Sequence, residues 1–75
     1  MEEGMAMNEE KLKQALFEVR PYVEYWDRLE ALVRELWKEA TDEENFLQLL
    51  NEEMERAEEP FKTDLKIFIQ KFEAL

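Results

Sequence analysis

Polar and apolar positions along the chain sort at helical rather than strand spacing. From Pro21 to Ala40 (PYVEYWDRLEALVRELWKEA), Tyr22, Val23, Tyr25, Trp26, Leu29, Leu32, Val33, Leu36 and Trp37 share one half of a helical wheel. Glu24, Asp27, Arg28, Arg34, Glu35, Lys38 and Glu39 take the other half, and Glu30 lies near the boundary. At about 100° of rotation per residue this is an apolar face close to half the circumference. So wide a face asks for more than one covering helix, and this segment is expected to organise the molecule.

Three further helical pieces follow from the same pattern. Leu12, Ala15, Leu16 and Val19 form a 3-4-3 stripe over Glu9 to about Arg20, opened by Asn8 as N-cap with Glu9 and Glu10 in the first turn. Pro21 then removes a backbone donor and disfavours helical angles at Arg20, and the stripes on its two sides point about a quarter turn apart, which favours a sharp kink or break there. Thr41 and Glu44 have capping-box spacing, so a third helix is expected to start at Thr41 after a very short link. It carries Phe46, Leu47, Leu50, Met54 and Ala57 on one face. Beyond Pro60, Phe61, Leu65, Phe68, Ile69, Phe72 and Leu75 recur at fours and threes, the tightest helical stripe in the chain. This stripe passes Pro60 with little rotation, which fits a bend as well as a break.

The expected fold class is therefore all-α: three to four helices in a kinked helical hairpin or small helical bundle, completed by self-association. Residues 1–7 (MEEGMAM) lack periodicity and are expected to be a disordered tail, with 8–75 a single α-helical domain. At 75 residues without cysteine, no disulfide supplements a core near the lower size limit for independent folding. One glycine and two prolines leave few turn signals, as long helices with short links require.

Composition narrows function mainly by exclusion. The chain contains no His, Cys or Ser, so imidazole acid–base chemistry, thiol or serine nucleophiles and the common zinc sites lack their side chains. Thr41 and Thr63 remain as hydroxyls, neither with an evident activating base. No enzymatic activity and no cofactor are expected. The net charge of −10 opposes direct nucleic-acid binding, and a helix-turn-helix reading around Thr41 would give an acidic recognition helix that phosphates repel. No apolar run reaches the roughly 18–20 residues of a membrane span, and the expected location is the cytoplasm. The Glu-, Lys- and Arg-rich composition without cysteine leans towards a thermophilic source.

Two surfaces are candidates for binding. The first is the aromatic face of the second helix: Tyr22, Tyr25, Trp26, Leu29, Leu32, Leu36 and Trp37. Tyr and Trp bury large area at low entropic cost, which suits an interface, although Trp26 and Trp37 also suit a core. Tyr25 and Leu32, at the far edge of the arc, are the best candidates for contact between molecules. The second is the acidic face Glu52, Glu53, Glu55, Glu58 and Glu59, read as a solvated surface with a Glu52–Arg56 pair or as a dock for a basic protein. A metal site there would need a third acid one turn after Glu52–Glu53, where Arg56 stands. Glu30 is read as the partner of Arg34, or else as a polar position fixing dimer register.

The leading expectation is a non-enzymatic helical interaction or scaffold module that is homo-oligomeric, a dimer first of all. An acidic regulator that binds a basic protein surface, as antitoxins and nucleic-acid mimics do, is the second reading. A carboxylate-only Mg-dependent enzyme is the third.

Overall fold

A computed structural model describes residues 8–75, and the expected tail over 1–7 lies outside them. Four α-helices follow one another: α1 (Glu9–Val19), α2 (Trp26–Glu39), α3 (Glu43–Arg56) and α4 (Phe61–Ala74). A 3-10 turn, Arg20–Tyr22, extends α1. Among the described residues there is no strand, and of the two expected architectures the bundle is formed.

Side-chain contacts give the helix directions. Lys11 of α1 sits over the Phe72 ring at 4.5 Å, while Asp64 binds the backbone beyond the other end of α1, so α1 and α4 are antiparallel. Arg28 lies over Phe61 at 4.0 Å and Trp37 meets Phe72 with ring centroids 6.3 Å apart, so α2 runs parallel to α4. The short links then make α3 antiparallel to both. The order is up-down-up-down, and α4 packs against all three other helices.

The centre of the molecule is therefore α4 rather than the tryptophan-bearing helix. Phe61, Leu65, Phe68, Ile69 and Phe72 are all buried, and only Leu75 of the expected stripe is exposed. At one end Phe46 stacks edge-on against Trp37 (5.0 Å) and Phe72 (5.3 Å), with Phe68 beside them at 6.4 Å from Phe46. Edge-to-face pairs of this kind are worth about 0.5–1.5 kcal/mol beyond the area they bury. The α1 stripe Leu12, Ala15, Leu16 and Val19 is likewise fully inside.

The helix boundaries differ from the sequence pattern in two places. α2 starts at Trp26, five residues later than Pro21, because Val23 is extended (φ −107°, ψ 153°) and the chain breaks between α1 and α2. The cap of α3 is Asp42 rather than Thr41: the Asp42 Oδ1 accepts the Asn45 N–H at 2.8 Å, and the Asn45 Oδ1 accepts the Thr41 N–H at 3.0 Å. A reciprocal capping arrangement exists, one residue further along and built from Asp and Asn. Asn8 caps α1 as expected, accepting from the Lys11 N–H at 3.2 Å. At Pro60 the helix breaks: α3 ends at Arg56, Ala57 is extended, and the Glu59 carboxylate accepts the Thr63 N–H at the start of α4.

Candidate interaction surface

The expected aromatic face divides once α2 is shortened. Leu29, Val33 and Leu36 point into the molecule's own core and are unavailable to a partner. That corrects the inclusion of Leu29 and Leu36 among contact residues: the chain's own core covers this part of the face. Trp26, Leu32 and Trp37 are half-buried at the edge of the core. Tyr22 and Tyr25 lie outside, 72% and 48% exposed.

Tyr22 has a neighbour that the pattern hides. Phe17, on the polar side of the α1 wheel, is 77% exposed, the most exposed large apolar side chain among the described residues. The 3-10 turn carries the chain round so that Phe17, Pro21 and Tyr22 line one open depression of about 690 Å³, framed by Glu18, Arg20 and Lys71. Pro21 fixes its own φ and so helps hold the turn that presents Tyr22. Scattered exposed apolar residues are ordinary, but two rings gathered around a proline form a patch.

The polar frame of this patch is ordered. Glu18 accepts from the Gln14 amide at 3.0 Å and pairs with the Lys71 ammonium at 3.0 Å, bridging α1 and α4. The Gln14 hydrogen bond first, and the Lys71 hydrogen bond second, hold the Glu18 carboxyl below the ordinary glutamate value. Arg20 lies over the Trp26 indole at 5.3 Å, a cation–π contact that fixes the next side chain round the rim.

Behind the patch the chain is tied down by a residue to which the sequence gives no special role. Asp64 is the buried charged residue of the core, 1% exposed. Its Oδ1 accepts the Glu24 N–H at 2.9 Å and its Oδ2 the Tyr25 N–H at 2.8 Å. α2 has no side-chain cap of its own, and this carboxylate from α4 supplies negative charge where the helix dipole favours it. The extended segment after the 3-10 turn is thereby fixed to the central helix.

Glu52, Glu55, Glu58 and Glu59 are exposed and Glu53 is half-buried. Arg56 pairs with Glu53 at 3.5 Å rather than with Glu52. Among the described residues no three acidic side chains gather into a metal-binding group. Glu30 pairs with Arg34 at 3.2 Å near the surface, which is the wet i,i+4 pair of the two readings for that position. Among the described residues no helix is long and apolar enough to cross a membrane.

The MJ1579 family model matches residues 9–75, from the first residue of α1 to the end of the chain. This chain belongs to the MJ1579 family. The match takes in all four helices, so the exposed ring pair and the Asp64 tie both lie within the MJ1579 region. Comparison with curated proteins finds no match.

Proposed function

We propose that this MJ1579-family chain is a non-enzymatic helical interaction module that docks a protein surface through the Phe17–Pro21–Tyr22 patch. The observation that carries the reading is the exposure of two aromatic rings lining one depression at a helix end fixed by Asp64, Pro21 and the Glu18–Lys71 pair. Rigid aromatic side chains bind with little further loss of conformational entropy, which is why such positions become hot spots. A cytoplasmic setting is part of the proposal.

Affinity capture from extract of the native source tests it, comparing the full chain with the Phe17→Ala/Tyr22→Ala double variant. Proteins retained by the wild type, additional copies of the chain among them, are expected to be lost by the variant. An identical retained set would overturn the reading.

The acidic flank favours a second reading, a regulator that engages a basic protein surface. Residues 42–59 hold eight acids against the single base Arg56, which is already engaged by Glu53. Association driven by that flank would weaken steeply with added salt, whereas apolar docking would not. The Mg-dependent enzyme has the least support, since the glutamates of α3 lie spread along the helix.

A further inference from the structure

The charge of the molecule is divided unevenly between its helices. Residues 23–60, which contain α2 and α3, carry thirteen acids and four bases, a net charge of −9. Residues 8–22 and 61–75, which contain α1 and α4, carry six bases and five acids, and one of those acids is the buried Asp64. Because α1 and α4 pack on each other, the near-neutral surface is gathered on one side of the bundle. Phe17 and Tyr22 lie on α1 and the turn that extends it, so the apolar patch and the low-charge side coincide. Lys13, four residues before Phe17, lies on the same helix face, and Arg20 and Lys71 border the rings.

We infer that this surface is the contact face of an isologous homodimer, with a second copy of the chain as the occupant. The inference rests on the docking reading above and names the partner. Two α2–α3 sides brought together would set −9 against −9, within a Debye length of about 8 Å at physiological salt. Pairing through α1 keeps those sides outward and apart. The patch is also self-complementary. Its rim holds both signs of charge, Glu18 beside Arg20 and Lys71, with Glu18 and Lys71 already paired within the chain, so two copies can meet there without setting one large net charge against another. Exposed aromatic rings of roughly 150–250 Å² each form its centre. With only two such rings per copy, the contact falls towards the weak end of specific interfaces, below about 1,200 Å² in total. The dimer is therefore concentration-dependent.

Sedimentation velocity on the full chain, over protein concentrations from about 10 μM to 1 mM, tests the inference. A monomer–dimer equilibrium is expected, and it strengthens with added salt because the repulsion between two net −10 chains is screened. Phe17→Asp should weaken it by at least tenfold and Phe17→Ala by less, both with unchanged helical circular dichroism, while Glu55→Lys on α3, which lowers the net repulsion, does not weaken it. A wild type that stays monomeric throughout, or a dimer indifferent to Phe17→Asp, would overturn the inference. Should the wild type be monomeric yet capture a different protein in a Phe17-dependent manner, the second copy fails and the docking reading stands. If it is monomeric and captures nothing that depends on Phe17, both fail.

Discussion

Single residues separate holding the fold from presenting the surface. Asp64 belongs to the first kind. Its two oxygens accept from the backbone of Glu24 and Tyr25, forty and thirty-nine residues earlier in the chain. Asp64→Ala removes both acceptors and leaves two partly buried N–H groups unpaired, which is expected to cost about 2–4 kcal/mol in urea unfolding. Phe17, at 77% exposure, belongs to the second kind, and Phe17→Ala should leave stability within about 0.5 kcal/mol of wild type. Neither role was legible in the sequence. An aspartate among lysines looks like a surface charge, and a lone phenylalanine on the polar side of a wheel looks like an exception. Both acquire meaning from contacts between distant parts of the chain, which local periodicity does not encode. Glu18 offers a readout of the frame around the patch. Its carboxyl titrates below the ordinary range, chiefly through Gln14 and then Lys71. A group lowered in this way adds stability above its unfolded pKa and loses it as pH falls through the folded one. Carboxyl NMR titration is expected to show the Glu18 midpoint rising in both Gln14→Ala and Lys71→Ala.

The elements were far more readable, because burial follows their period. Every residue of the stripes assigned to α1 and α4 is buried except Leu75 at the chain end. The chain breaks near both prolines but not at them: Arg20 keeps helical angles, against expectation, and the turn runs through Pro21 to Tyr22 before Val23 becomes extended, while ahead of Pro60 the break falls at Ala57. Sequence reasoning went astray where two local signals competed. Tyr22, Val23 and Tyr25 fit the wheel of the second helix, yet the Asp64 hydrogen bonds hold Glu24 and Tyr25 outside it, and the helix starts at Trp26. Thr41 and Asp42 are both good caps, and Asp42 takes the role with Asn45 as its reciprocal partner. The caps are separable by measurement. Asp42→Ala is expected to destabilise by about 1 kcal/mol in thermal or urea unfolding, while Thr41→Ala, which loses no side-chain bond to the helix, stays near neutral.

At the scale of the whole molecule, shortening α2 changes which helix is central. The tryptophans and tyrosines gave that segment the greatest aromatic weight, but weight on a wheel does not say which neighbour covers it. The α4 stripe is narrower and enclosed except at Leu75, whereas the wide face of α2 is covered at Leu29, Val33 and Leu36 and left at the rim at Trp26, Leu32 and Trp37. The bundle thus hides most of the surplus apolar surface within one chain, and the most exposed large apolar side chains among the described residues are Phe17 and Tyr22. The most direct measurement of the proposed self-association through that surface is the change in backbone amide NMR shifts as the full chain is diluted. Shifts centred on Phe17 to Tyr22 and on Lys71 are expected, with α3 unmoved. Shifts centred on Leu32 and Trp37, or a spectrum that does not change with concentration, would contradict it.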